Sequence, residues 1–178
     1  LERDATGALW VGTLDGGPAR VENGESTVPR GLEPLAGLAV TCLLAADDGS
    51  VWFGTAGHGV ARWSGGKLGR WTRGDGLASD FVRTVRADGA GAVWIGTNGG
   101  LSRWKDGTLA SFTGAQGLPD VFISQIVDDG AGHLWLGTNR GIARIAFNEF
   151  ELVATGRASR LNVLSLGLGD GLPSLECT

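Results

Sequence analysis

Gly91-Ala92-Val93-Trp94-Ile95-Gly96-Thr97-Asn98-Gly99-Gly100-Leu101-Ser102-Arg103 is the stretch that decides the fold. Two short runs of β-forming residues, Val93 to Thr97 and Leu101 to Trp104, flank an Asn-Gly turn, which is a hairpin signal. Variants of the same hairpin recur. Gly7-Ala8-Leu9-Trp10-Val11-Gly12-Thr13, Gly49-Ser50-Val51-Trp52-Phe53-Gly54-Thr55 and Gly132-His133-Leu134-Trp135-Leu136-Gly137-Thr138 place their tryptophans 42, 42 and 41 residues apart. Each is followed by a second apolar run carrying Arg20, Arg62, Arg103 or Arg144. Six residues before each Trp stands Asp4, Ala46, Asp88 or Asp129.

Around this hairpin, one unit holds four such runs: Phe81 to Ala87, Val93 to Thr97, Leu101 to Trp104 and Leu109 to Thr113. No stretch of ten or more residues keeps a 3.6-residue apolar period, so helix is expected to be nearly absent. Four antiparallel strands repeating every 40 to 45 residues or so are the signature of a propeller blade. The expected fold is therefore an all-β propeller of about four four-stranded antiparallel blades, roughly 1–36, 37–79, 80–120 and 121–178. Leucine-rich and ankyrin repeats are shorter, and a sandwich would not repeat its Trp at a fixed period. The fourth unit carries extra residues between Phe147 and Leu168, read as an extended outer hairpin or an excursion.

Composition narrows function. Glycine supplies 32 of the 178 residues, against about 7% in average proteins, which fits a chain of turns. Apolar residues at 42%, with seven Trp, can bury a core. A net charge of −4 without Lys/Arg runs gives no footprint for nucleic acid. The longest apolar stretch, Leu38 to Ala46, falls far short of the ~20 residues that span a bilayer, so no membrane contact is expected from this segment. Cys42 and Cys177 show neither metal-knuckle nor disulfide spacing. The opening Leu1-Glu2-Arg3-Asp4, without an initiator Met or leader pattern, is expected of a piece of something longer.

Trp-x-Gly-Thr, then Gly-Leu-x-Arg, then a Gly-Leu-Pro or Gly-Leu-Ala link resembles the two-component regulator propeller repeat, over essentially the whole chain. The segment Asp170-Gly171-Leu172-Pro173-Ser174-Leu175-Glu176 is similar to one found near the last blade of such sensors. The resemblance implies part of a seven-bladed propeller in the periplasmic sensor region of a hybrid histidine kinase. It also implies a small-molecule or oligosaccharide ligand, and no catalysis by this segment.

The internal repeat separates scaffold from site. Residues that recur in every blade, the Trp, Thr and Arg, serve architecture, with the arginines expected to tie neighbouring blades. A ligand site must distinguish one blade from another. If the first strand of each blade is innermost, the loops after strands two and four share one face around the channel mouth. Residues there that differ between blades are the candidate ligand contacts: His58, Asn98, Asn139 and Arg140 from turns, and Asp75, Asp80 and Asp120 from links. Their alternative role is turn chemistry, since Asn and Asp favour turns for backbone reasons.

No second His stands near His58 to form a catalytic dyad, and the scattered acids lack calcium-loop spacing, so no catalytic residue, metal or cofactor is expected. Two other functions remain open. Streptogramin-degrading lyases have a similar glycine-rich Trp repeat, and a protein-interaction propeller would use the same scaffold. Four blades form an open arc, for which self-association through the end blades is the expectation.

Overall fold

The repeats form four four-stranded antiparallel sheets in a computed structural model that describes residues 1–177. Blade 1 comprises β1 (Glu2–Arg3), β2 (Leu9–Gly12), β3 (Pro18–Glu22) and β4 (Glu25–Thr27). Blade 2 comprises β5 (Val40–Ala45), β6 (Val51–Thr55), β7 (Val60–Ser64) and β8 (Lys67–Trp71). Blade 3 comprises β9 (Val82–Ala87), β10 (Val93–Thr97), β11 (Gly100–Lys105) and β12 (Thr108–Phe112). Blade 4 comprises β13 (Ile123–Asp128), β14 (His133–Thr138), β15 (Gly141–Ala146) and β16 (Val163–Leu166), with a helix α1 (Phe147–Ala154) between its last two strands. Strands lie in chain order within every sheet, as in a propeller blade.

The blades stack face to face, and this stacking explains why the central strands are apolar on both sides. All five residues of β6 and of β10 are buried. Trp10, Trp52 and Trp94 are each 1% exposed. Each points at the following blade: Trp10 lies 5.8 Å from Phe53 and 5.4 Å from Trp63, and Trp52 lies 5.2 Å from Trp104. The glycine two positions later in each repeat is required by the same contact. A Cβ at Gly12, Gly54 or Gly96 would stand 2.5, 2.6 or 2.9 Å from the side chain of Val40, Val82 or Ile123, the first residue of the next blade's inner strand.

The repeated Asp buttresses the repeated Trp. Asp4, Asp88 and Asp129 accept the indole N–H of Trp10, Trp94 and Trp135 at 2.9, 2.8 and 3.0 Å. Blade 2 has Ala46 at that place, and Asp48 takes up Ser50 and Arg62 instead. The arginines depart from expectation. Arg20 and Arg62 pair with carboxylates of their own blades, Asp4 and Asp48. Only Arg103 reaches the following blade by an ion pair, to Glu151 on α1 at 2.8 Å. The guanidinium of Arg62 meets the following blade through the Trp104 ring, at 5.0 Å against 5.7 Å for Trp52 in its own sheet, while those of Arg103 and Arg144 lie 5.7 and 5.5 Å from Trp94 and Trp135.

Helix α1 is the second departure. The excursion expected after Phe147 folds as eight helical residues, too short to stand alone, and tertiary packing holds it. Phe150 is fully buried, 4.6 Å from Trp94 and 5.0 Å from Phe112. No helix among the described residues is long and apolar enough to cross a membrane.

Candidate functional site

Hydroxyls of the repeated Thr residues shape the turns after the second strands. Thr13, Thr55, Thr97 and Thr138 donate to the carbonyls of Gly17, Gly59, Gly100 and Gly141 at 2.6 to 2.9 Å. The links leaving the fourth strands then dock on these turns. Gly57 and Gly59 N–H donate to the Asp80 carbonyl, and Asn98 N–H donates to the Phe81 carbonyl. Turns and links therefore share one face, and the seven residues singled out from sequence all lie on it.

They do not converge on one point. His58 is exposed, its N–H held by Thr55 Oγ1 and its carbonyl by Arg70. Asp80 accepts the N–H of Arg73 at 2.7 Å. Asp120 accepts the N–H groups of Phe122 and Asn139, which brings Asp120 and Asn139 together. Asp75 caps its own turn, and its pKa is lowered first by the backbone N–H of Thr72 and then by the Thr72 hydroxyl. Arg140 is exposed, with its N–H on Thr138 Oγ1. The three link carboxylates are thus engaged in shaping the backbone, His58 and Arg140 are exposed, and Asn98 is half-buried.

Beyond these seven, the structure adds residues to the face through irregular pairing. The inner strands shift register between Val40 and Cys42, and again between Ile123 and Gln125, with a matching shift opposite Gly96 and Thr97 in blade 3. Such bulges re-aim one side chain each; here these are Thr41, Arg83 and Ser124. Thr41 Oγ1 bonds the Val82 carbonyl of the next inner strand at 2.7 Å. Arg83 Nε donates to Asn98 Oδ1 at 2.7 Å while its guanidinium lies 4.8 Å from the Phe122 ring. Phe81, 52% exposed, stands beside Gly57. Arg83, Asn98 and Phe122, with Phe81 and His58 on the adjoining link and turn, make a polar and aromatic surface. The only advance signal was three unlike residues, Thr41, Arg83 and Ser124, at one repeat position.

The remaining reactive groups lie elsewhere. His133 is on the opposite face, 3.5 Å from Asp129. Burial pushes the Cys42 thiol up to about 11, which keeps it protonated and a poor nucleophile at neutral pH. Among the described residues, no three His, Cys, Asp or Glu side chains converge as metal ligands.

The sequence profile of the two component regulator propeller matches residues 34–57 and 117–140. No curated protein sequence matches the chain. Among solved structures, the extracellular domain assigned to the hybrid two component system BT3049 of B. thetaiotaomicron is similar, with 25% identity and a TM-score of 0.77 over 97% of this chain and 23% of that one. The corresponding domain of BT4673 from the same organism gives 16% identity and a TM-score of 0.67, over 94% of this chain and 24% of that one. Virginiamycin B lyase from Staphylococcus aureus shares the fold at 19% identity and a TM-score of 0.68, over 97% of this chain and 54% of the lyase. The chain thus spans about a quarter of the length of the extracellular domains it resembles.

Proposed function

We propose that this chain, which carries two component regulator propeller repeats, is a periplasmic ligand-sensing segment of a hybrid two-component signalling protein and binds its ligand without turning it over. The observation that supports this most is its likeness, along almost its whole length, to the extracellular domain of a hybrid two-component system. The side chains agree with binding. The Arg83, Asn98 and Phe122 cluster offers a planar donor, an amide and aromatic surface, which are recognition groups. Within its turn, Ala56-Gly57-His58-Gly59, His58 has neither a second His nor a thiol beside it. An oligosaccharide or small polar molecule suits such a surface better than a nucleic acid, given the net charge of −4.

A thermal-shift screen of saccharides and small metabolites, with each compound recovered and weighed by mass spectrometry, tests the reading. The expected result is a raised Tm with the compound unchanged. Conversion of the compound would move the chain to the enzymatic propellers, with virginiamycin B lyase.

A further inference from the structure

The inner strands carry three unlike residues at one place in the repeat, Thr41, Arg83 and Ser124, each at the irregular pairing near the strand's start. Two of them are used up inside the protein. Thr41 Oγ1 donates to the Val82 carbonyl at 2.7 Å, and Ser124 Oγ donates to the Gly137 carbonyl at 3.0 Å, so each hydroxyl's single O–H is taken. Arg83 keeps donors free. Its Nε–H goes to Asn98 Oδ1 at 2.7 Å, and the N–H groups of its two terminal nitrogens meet no acceptor among the described residues. That free end is fixed in place: Asn98 holds Nε, the Phe122 ring on the link into blade 4 lies 4.8 Å from the guanidinium, and Asn98 is itself tied by its N–H to the Phe81 carbonyl.

The free edge of the guanidinium selects its partner. With Nε occupied, it presents one N–H from each terminal nitrogen, two parallel donors matched to two oxygens of a carboxylate or a phosphate. No carboxylate of the protein competes for them, since none among the described residues lies within ion-pair distance of Arg83. The acids of this face, Asp75, Asp80 and Asp120, are held by backbone N–H groups. Their charge still decides between the two anions, because it repels a phosphate dianion about twice as strongly as a singly charged carboxylate. Phe81, 52% exposed beside Gly57 and two residues before Arg83, offers an apolar surface next to the guanidinium. A molecule with one acidic head and an apolar body matches both features.

We propose that Arg83, fixed by Asn98 and Phe122, anchors a carboxylate, and that the ligand is a small organic monoanion whose apolar body lies on Phe81. The proposal rests on the sensing reading above and names the chemical group that reading leaves open. Chemical-shift titration of the isotope-labelled chain tests it, with benzoate as the probe, benzamide as its neutral counterpart, phenyl phosphate as the dianion and acetate as the head without a body. Benzoate should bind more tightly than the other three, with shifts at residues 81–84 and 98–99. Arg83→Gln, at an exposed position where circular dichroism checks the fold, should weaken benzoate by about tenfold or more, the loss of a charged pair of hydrogen bonds. Arg83→Lys keeps the charge but not the paired donors, and should weaken it by about three- to tenfold. Arg157→Gln, an equal loss of charge beyond the end of α1, should leave binding unchanged. Absence of benzoate binding, equal binding of benzamide, preference for phenyl phosphate, or affinity that Arg83→Gln leaves intact would overturn the carboxylate site. If the thermal-shift screen yields a ligand that Arg83→Gln still binds while benzoate does not bind, the sensing reading stands and only this proposal fails. If neither benzoate nor any compound in that screen binds, the sensing reading itself fails.

Discussion

Trp94 is the residue on which blade packing turns, because its ring is buried against both its own strand partners and the next blade. Trp94→Ala should destabilise the chain by about 3–5 kcal/mol, whereas His58→Ala, on an exposed turn, should change stability by less than about 0.5 kcal/mol. Chemical denaturation of the two variants measures both, and equal losses would contradict the division of scaffold from site. The buttressing carboxylates predict a pH dependence. At Asp129 the Trp135 indole, the largest influence, and the N–H groups of His133 and Ala131 bring the pKa from 3.8 to about 2. At Asp4 burial opposes the charge, but hydrogen bonds from Thr6, Trp10, Arg20 and Ala8 outweigh it and hold the carboxyl below its usual range. Both groups are more acidic folded than unfolded, so their stabilisation is complete above pH 4 or so and is lost as pH falls toward 2. Tm measured between pH 5 and 2 should fall most steeply in that window, and less steeply in Asp129→Asn. The scaffold role of Trp94 was legible in the sequence because the Trp repeats; the repeated Asp was visible, but not its bond to the indole. Asn98 stood out as a residue that differs; its partner Arg83 was passed over, since a one-residue bulge leaves no mark on the apolar pattern and only its unlike counterparts Thr41 and Ser124 set it apart.

At the level of elements, the strands were readable because both signals agree: β-forming runs and turns rich in Gly, Asn and Asp. The two-residue turns at Asn23-Gly24 and Asp106-Gly107 show why. Both central residues adopt positive φ, 51° and 82° in the first and 49° and 80° in the second, as the favoured hairpin turn requires. Helix α1 was not readable, because eight residues give little more than two turns of periodicity and its stability comes from Phe150 in the hydrophobic cluster shared by blades 3 and 4. Phe150→Ala should cost about 3–5 kcal/mol, the range for a buried Phe. It should also release α1, seen as lost helical ellipticity and faster hydrogen exchange over residues 147–154 with the strands of blades 1 and 2 unaffected. Uniform destabilisation without selective exchange at α1 would show that the helix is held by other contacts. The matching of Arg103 to Glu151 across the same junction could not be anticipated from a repeat that places arginine identically four times.

Across the whole molecule the two ends of the arc are complementary. Leu9 and Val11 of blade 1 are half-buried where their counterparts Val51, Phe53, Val93 and Ile95 are buried. On blade 4, Trp135 is only half-buried, Val127 is 54% exposed, and an apolar cavity of about 540 Å³ lies over them. Cys177 packs on Gly137 as Val40, Val82 and Ile123 pack on Gly12, Gly54 and Gly96. The Trp135 face is therefore shaped for another blade, and the 178-residue chain by itself is expected to self-associate head to tail, blade 4 of one copy on blade 1 of another, so that two copies close a ring. Sedimentation at micromolar concentration should show a species heavier than 18.3 kDa; a stable monomer would show that the end faces tolerate water. The repeated residues build the arc, and the ligand is expected where the blades differ. Hydrogen exchange of the chain with and without the compound that raises its Tm most tests this directly. The predicted result is protection confined to residues 56–59, 81–83 and 98–99, with the four Trp strands unchanged. Protection centred on the Trp-x-Gly-Thr strands of all blades alike would contradict it.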